Sequence, residues 1–158
     1  MLLKAALCLL NVGLALAAPA QSLVERSTSR TSAPSGALVV GSGAKYTKIQ
    51  DAVNALSTSS STAQSIFIEA GTYNEQVLVP ARKAALTIYG YATDKSTYTD
   101  NKVIITHGIG LDTVASDDLT ATLRVKAENF KMYNVNVKNT RGSGSQALAL
   151  SAWVTVSN

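Results

Sequence analysis

Short apolar runs bounded by turn residues dominate the pattern from residue 65 onward. Each run alternates apolar and polar positions or is continuously β-branched, which is typical of strands. Turn residues such as Ala70-Gly71, Gly90 and Arg141-Gly142 separate them. The pattern predicts strands over Ser65–Glu69, Ala85–Tyr89, Val103–Thr106, Thr122–Lys126, Lys131–Lys138 and Ala147–Val156.

One segment before these runs has helical periodicity. Four apolar residues spaced at i, i+3, i+4 and i+7 share one face: Ile49, Ala52, Val53 and Leu56. Thr47 is the predicted N-cap, and Asp51 lies near the N-terminal end of the helix dipole. A Ser/Thr run over residues 57–62 ends this helix.

The absence of long helical patterns between the strand runs argues against a doubly wound α/β sheet and for an all-β fold. Two architectures fit, an antiparallel sandwich or a parallel β-helix. Asn-Gly and Asp-Gly hairpin dipeptides do not occur, which counts against the sandwich. Asn134, Asn136 and Asn139 suit coil corners, where their side chains would bond backbone groups, or they face solvent.

The N-terminus has the pattern of a secretory signal. Lys4 precedes the apolar run Ala5–Leu16, and Ala15-Leu16-Ala17 matches a small-x-small cleavage site, with Ala20 as the reserve site. The run is too short for a comfortable membrane span. We therefore expect a signal peptide over residues 1–17, a flexible leader over 18–36, and a secreted, extracellular protein with no membrane association after cleavage.

Composition and charge argue against one class of function. Hydrophobic residues make up 46% of the chain and charged residues 15%, as in a globular domain. The net charge is +4, but the basic residues are scattered and are not interleaved with aromatics, which argues against nucleic-acid binding. A positive balance suits a polyanionic polysaccharide, or it is merely a solvated surface.

The side chains that could carry chemistry form no recognisable catalytic or metal-binding pattern by themselves. Cys8 would leave with the signal peptide, and no His/Cys cluster predicts a metal. His107 has no partner for a Ser-His-Asp arrangement and is predicted to lie in a loop. Asp112, Asp117 and Asp118 are predicted to be solvated charges in one loop.

Three strings, in order, carry a resemblance to a known family. The helical segment YTKIQDAVNAL comes first, GTYNE (71–75) follows the strand SIFIE, and Asn139-Thr140-x-Gly142 precedes QALAL (146–150). From about Ala37 to Ala152 they resemble the secreted, fungal-type pectinesterases. Residues 37–158 are accordingly identified as the N-terminal part of a pectinesterase domain.

The resemblance implies a right-handed parallel β-helix of the pectin lyase-like kind, with a groove for polygalacturonate. Members of this family hydrolyse galacturonate methyl esters in pectin to methanol and pectate without a metal or other cofactor. The chemistry uses one ionised carboxylate as nucleophile, one protonated carboxylate as acid, and an Arg that keeps the nucleophile ionised. A Gln amide stabilises the oxyanion. A monomer is expected at full length.

Residue by residue, only part of that site is expected in this chain. Gln146 matches the Gln that contacts the transition-state oxygen, with a structural role at a coil corner as the alternative. Gly71 is predicted to serve a backbone turn. Tyr73 and Glu75 are predicted to be structural or to lie at the groove edge.

The departures from the family pattern concern the catalytic acids. The family places its two carboxylates in QDTL and DFIFG and its Arg in LGRPW, and none of these strings occurs here. We therefore expect a truncated β-helix without the catalytic Asp pair, in which residues from Trp153 onward are out of context. The alternatives are an inactive fragment that at most binds carbohydrate, or a pectin lyase or polygalacturonase, which the matched strings disfavour.

The leader gives a first prediction. Because Lys4, the apolar run and the Ala-Leu-Ala site form a signal peptide, N-terminal sequencing of the secreted product should begin at Ala18 or Gln21. A later start would indicate that a propeptide is also trimmed. A mature protein that still begins at Met1 would contradict the prediction.

Overall fold

The computed structural model describes residues 29–153, which form ten short strands and two helices. A single 3-10 turn lies at Tyr98–Asp100. In chain order the elements are β1 (Leu38–Val40), α1 (Ile49–Ala55), β2 (Gln64–Ile68), β3 (Gly71–Asn74), β4 (Val77–Val79), β5 (Leu86–Gly90), β6 (Val103–His107), α2 (Asp117–Thr120), β7 (Leu123–Val125), β8 (Phe130–Tyr133), β9 (Val135–Asn139) and β10 (Leu150–Ala152).

The strands form three sheets in which every paired strand is parallel. Sheet 1 has the order β1-β2-β5-β8, sheet 2 the order β3-β6-β9, and sheet 3 the order β4-β7-β10. From β2 onward the chain visits sheets 1, 2 and 3 in the same order three times, so each circuit is one coil. The parallel β-helix is confirmed, and the antiparallel sandwich is excluded.

The core consists of columns of inward-facing side chains at equal register positions in successive coils. In sheet 1, Ile66 pairs with Ile88, and both are fully buried. In sheet 3, Val77 pairs with Leu123, which pairs in turn with Leu150. Leu150 nevertheless remains 48% exposed, because among the described residues no strand pairs with the other edge of β10. Val77, at the opposite end of the same column, is fully buried because α1 packs against β4. A column is therefore removed from water only where its ends are covered.

Helix α1 covers the N-terminal end of this core. Its buried face consists of Ile49, Ala52 and Val53, which belong to the same apolar cluster as Val40 of β1. The predicted helix is confirmed, with Leu56 as its C-cap. The predicted N-cap is wrong, because Lys48 occupies that position and makes no side-chain capping hydrogen bond.

Residues 29–36 lie against the outer face of sheet 1, although the sequence placed them in a flexible leader. The backbones of Arg30 and Ala92 exchange hydrogen bonds of 2.7 and 2.9 Å. The Arg30 guanidinium lies 4.3 Å from the ring centroid of Tyr89, a cation–π contact. The predicted signal peptide lies outside the described residues. Within the described part, no helix is long and apolar enough to cross a membrane.

The strand predictions differ from the structure where the chain turns a corner. The run predicted as one strand over Lys131–Lys138 is two strands, β8 and β9, separated by Asn134 in the left-handed region at φ 56°. Asparagine tolerates this conformation better than most residues. Strands β1, β3 and β4, of three or four residues each, were not predicted.

Gly90 allows two consecutive coils to approach at this corner, and this gives a second prediction. A Cβ at Gly90 would lie 2.2 Å from the carbonyl oxygen of Asn134, so one of the two backbones would have to move. Gly90→Ala should lower the free energy of unfolding by about 1–3 kcal/mol in chemical denaturation.

Gly43→Ala is the matched control, because a Cβ at Gly43 would meet nothing within 4 Å. Its effect should stay within about 0.5 kcal/mol. Equal destabilisation by both variants would mean that the close approach at Gly90 does not matter.

Candidate functional site

Gln146 lies in the loop between β9 and β10, just before sheet 3. The backbone N–H groups of Thr122 and Leu123 donate to the carbonyls of Leu148 and Ala149, which extends the sheet 3 ladder toward this loop. The Gln146 carbonyl accepts a 2.8 Å hydrogen bond from the Leu111 N–H. The backbone of Gln146 is thus fixed while the residue stays exposed, so its amide is available to a ligand.

A second loop, immediately after β6, contacts the loop that carries Gln146. The Asp112 carboxylate accepts hydrogen bonds from Nε and Nη2 of Arg141, and the Asp112 N–H donates to Ser145 Oγ at 3.1 Å. The hydrogen bonds from Arg141 and Ser145 hold the pKa of the Asp112 carboxyl below its usual range. Asp112 is exposed, as predicted, but it is paired with Arg141 and does not stand alone in the solvent.

Asn139 ties the corner between sheets 2 and 3 together. Its Nδ2 lies 2.8–3.1 Å from three carbonyl oxygens, and its Oδ1 accepts from the Arg141 N–H. The three carbonyls belong to Ile109, Thr120 and Leu148. At the previous corner, Asn134 and Asn136 both hydrogen-bond the side chain of Asn101. The interpretation as a coil-corner residue that bonds backbone groups is confirmed for Asn139. Asn134 lies at a corner but bonds a side chain, and Asn136 lies within β9, so for Asn136 the interpretation is wrong.

Glu75 supplies the helix cap that the sequence assigned to Thr47. Its Oε1 accepts from the Ile49 N–H at 2.8 Å, and its Oε2 accepts from the Gln50 N–H at 2.9 Å. Two otherwise unsatisfied donors at the N-terminus of α1 are thereby paired with a negative charge, which the helix dipole favours. Both oxygens of Glu75 are thus committed to a structural role.

Tyr73 and Gly71 also serve the framework. The Tyr73 hydroxyl donates to the Glu69 carbonyl at 3.0 Å. Burial raises the pKa of this hydroxyl, and the charges of Glu69 and Glu75 add to the effect. Gly71 begins β3, and its N–H donates to Lys102 O. Gly71 follows the bend at Ala70 and already belongs to β3, and its φ lies outside the left-handed range, so no special backbone conformation requires glycine here.

Asp118 is the most extensively hydrogen-bonded carboxylate of this region. It accepts from Nε and Nη2 of Arg124 at 3.0 and 2.6 Å, from Lys126 Nζ at 2.8 Å and from Ser151 Oγ at 2.7 Å. Its side chain is only 13% exposed. Burial alone would raise the pKa of this carboxyl, but the bonds from Lys126, Ser151 and Arg124 outweigh it and hold the pKa well below its usual range.

The outcome thus differs between the neighbouring acids. Asp117 is exposed, as predicted, but the prediction of Asp118 as a solvated charge is wrong. Asp118 joins α2 to the outer face of sheet 3, where Arg124 of β7 is in register with Ser151 of β10. A link of this kind holds two successive coils and one helix together.

His107 is the last residue of β6 and pairs with Asn139, so the loop predicted for it is wrong. Its Nδ1 is buried without a hydrogen-bond partner among the residues that the structure describes. Within residues 29–153, no group of three or more His, Cys, Asp or Glu side chains is placed to hold a metal ion.

Three residues that contact one another at the Gln146 loop were not predicted from the sequence, namely Asp112, Arg141 and Ser145. One signal was available, since Arg141, Gly142, Ser143, Gly144 and Ser145 form a small, polar stretch directly before Gln146. Such a stretch has little conformational preference of its own. It therefore needs contacts from elsewhere if the residue after it is to be fixed.

Comparison with known proteins assigns this chain to one family. The family model described as Pectinesterase matches residues 37–157. A pectinesterase from Aspergillus aculeatus is 55% identical over 130 residues, and one from Aspergillus niger is 52% identical over 131 residues. These alignments cover 80% and 82% of this chain but 39% and 40% of the relatives. The chain thus spans about two fifths of their length.

Solved structures give the same result for the fold. The deglycosylated pectin methylesterase from Aspergillus niger matches with a TM-score of 0.74 at 48% identity, over 78% of this chain and 42% of that one. Pectin methylesterase from carrot matches with a TM-score of 0.65 at 26% identity, over 80% and 38%. These neighbours are right-handed β-helices, and this chain shares their fold.

The Asp118 cluster gives a third prediction. The pKa of Asp118 is lower in the folded chain than in the unfolded chain, so its stabilisation is present above about pH 4 and is lost as the pH falls further. Asp118→Asn should lower the free energy of unfolding at pH 7 by about 1–3 kcal/mol and flatten its decline in acid.

Asp117→Asn is the matched control, because the neighbouring Asp117 is exposed. Denaturant titrations between pH 7 and pH 3 should show almost no difference between this control and the parent chain. The same result for Asp118→Asn would show that the cluster contributes nothing to stability.

Proposed function

Because the chain belongs to the pectinesterase family, we propose that the whole protein hydrolyses the methyl esters of galacturonate units in pectin, releasing methanol and leaving pectate. The observation that carries the proposal is the family match over residues 37–157, within which Gln146 is exposed beside sheet 3. The action is proposed to be extracellular, on cell-wall pectin, after removal of the signal peptide. The full-length enzyme is proposed to act as a monomer.

The role proposed for Gln146 is to stabilise the oxyanion. When a carboxylate attacks the ester carbonyl, the carbonyl oxygen gains negative charge, and a second, protonated carboxyl then gives its proton to the departing methanol. An amide N–H held near that oxygen acts mainly in the transition state, where the charge is largest. The exposed amide of Gln146 on a fixed backbone fits this requirement.

Three of the carboxylates that the structure describes are poorly suited to be the nucleophile or the acid. Glu75 caps α1 with both of its oxygens, and Asp118 is bonded to two cations and a hydroxyl. Asp112 pairs with Arg141. A carboxylate already saturated by N–H donors and cations is a weak nucleophile and a weak proton donor. The proposal therefore assigns both acid roles to the family strings QDTL and DFIFG, which do not occur in this sequence.

The alternative is that the 158-residue chain by itself is a non-catalytic β-helix fragment with at most carbohydrate binding. It is favoured by the missing QDTL, DFIFG and LGRPW strings and by the committed state of the carboxylates just described. The two proposals predict different results in one measurement, the release of methanol from methylated pectin. The longer enzyme that carries these residues should release methanol, and the 158-residue chain should not.

Substitution of Gln146 tests the catalytic proposal and is the fourth prediction. In the full-length enzyme, Gln146→Ala should lower kcat about 10²-fold with little change in KM, because the lost N–H acts chiefly in the transition state. Gln146→Glu keeps the size of the side chain but removes the donor, so it should lower kcat at least as much.

Methanol release measured against pectin concentration gives both constants. Unchanged kcat in both variants would return Gln146 to a structural role at the coil corner. Methanol release by the 158-residue chain would show that a carboxylate of this chain acts after all, and it would contradict the assignment of the acids to QDTL and DFIFG.

A further inference from the structure

Two loops meet beside sheet 3, and their contacts converge on the backbone of Gln146. The 108–116 loop follows β6, and the 140–149 loop precedes β10. The Leu111 N–H donates to the Gln146 carbonyl at 2.8 Å, and the adjacent Asp112 N–H donates to Ser145 Oγ at 3.1 Å. The Asp112–Arg141 ion pair joins the same two loops through their side chains.

Gly110 shows how closely the loops approach. A Cβ at this position would lie 2.5 Å from Asp112 Oδ1 and 2.9 Å from both Arg141 Cγ and Ser145 Oγ. These distances are shorter than real Cβ contacts, so a side chain at this position would have to displace the Asp112, Arg141 and Ser145 side chains from where they lie. Asp112, Arg141 and Ser145 are therefore packed around one point and are not dispersed on a surface.

The 140–149 loop has little internal structure to hold Gln146 without this contact. Gly142 and Gly144 have φ values of 81° and 93°, in the region that favours glycine. A glycine- and serine-rich segment loses much conformational freedom when it is fixed in one arrangement. Between Arg141 and Leu148, which other residues hold, the described hydrogen bonds that reach this loop from outside come from Leu111 and Asp112 of the partner loop.

We propose that Asp112, Arg141 and Ser145 are positioning residues for Gln146, which hold its amide where the oxyanion forms. The inference rests on the proposed function, since it assigns a purpose to the placement of that amide. An ion pair as exposed as Asp112–Arg141 contributes little to global stability. A small displacement of a catalytic group can nevertheless cost up to about 10²-fold in rate. Activity and stability should therefore respond differently when the pair is broken.

The first test measures kcat, KM and the melting temperature of the full-length enzyme. Arg141→Ala and Asp112→Asn should each lower kcat about 10-fold, with KM within about twofold and Tm almost unchanged. Arg141→Lys keeps the charge but not the two-pronged geometry, and it should give an intermediate kcat.

Asp100→Asn is the matched control, because it breaks the similarly exposed Asp100–Lys102 pair elsewhere on the surface. This control should leave kcat unchanged. Equal loss of kcat in the control, or a fall in Tm that parallels the fall in kcat, would overturn the positioning role.

A double-mutant cycle with Gln146→Ala isolates the coupling. If Arg141 acts only through the Gln146 amide, Arg141→Ala should lower kcat in the parent enzyme but hardly at all in the Gln146→Ala background. The same factor in both backgrounds would overturn the proposal, because Arg141 would then act independently of Gln146.

Amide hydrogen exchange in the 158-residue chain tests the loop contact without any activity. The Leu111 N–H, which donates to Gln146 O, should exchange at least about 10-fold faster in Arg141→Ala, as local opening becomes easier. The Lys126 N–H, which donates to Val79 O within sheet 3, is the internal control and should not change.

The two possible failures are distinguishable. Unchanged exchange at Leu111 would overturn the loop-holding step itself. Unchanged kcat in Gln146→Ala would instead overturn the oxyanion role on which the proposal depends.

Discussion

In-register stacking of parallel strands is the constraint on which the rest of this structure depends. Each strand of a sheet pairs with the strand of the same sheet one coil later, so a side chain meets the residue at its own position in the next coil, as Ile66 meets Ile88. The columns that result are buried where the next coil or helix α1 covers them, and Leu150 is exposed where neither does. The same register brings Arg124 beside Ser151 on the outer face of sheet 3, so the core pattern also determines which polar groups meet outside it.

The coil corners are where this arrangement is costly, because backbone groups there leave the ladders. Glu75 and Asn139 each satisfy several backbone donors or acceptors at such points. A buried polar group left without a partner costs about 1–3 kcal/mol. The loss of one of these side chains would therefore also leave the groups that it bonds without a partner. The residues that a family motif picks out can thus serve the framework, as Glu75 does, and not the chemistry.

The sequence predicted local features well and distant ones poorly. The apolar face of α1 and the strands β2, β5 and β6 follow from patterns within a few residues, and the family strings supplied the β-helix. The helix cap could not be predicted, because the capping carboxylate belongs to Glu75, which lies 26 residues along the chain from Ile49, whose N–H donates to it. The Asp118–Ser151 bond likewise joins residues 33 apart in sequence. Only the coil geometry, which no local pattern contains, brings such partners together.

Helix α1 seals one end of the coil stack, and this gives the assembly a direction. The sealed end is encoded first, so during synthesis a finished surface is available before later coils leave the ribosome. Each new coil then packs on a coil that is already folded and does not have to nucleate alone. Most of the entropy cost of bringing its strands to their pairing partners is therefore avoided. Growth toward the N-terminus is blocked by the helix, so among the described residues the stack can extend only at its other end, where β8, β9 and β10 are the last strands of their sheets.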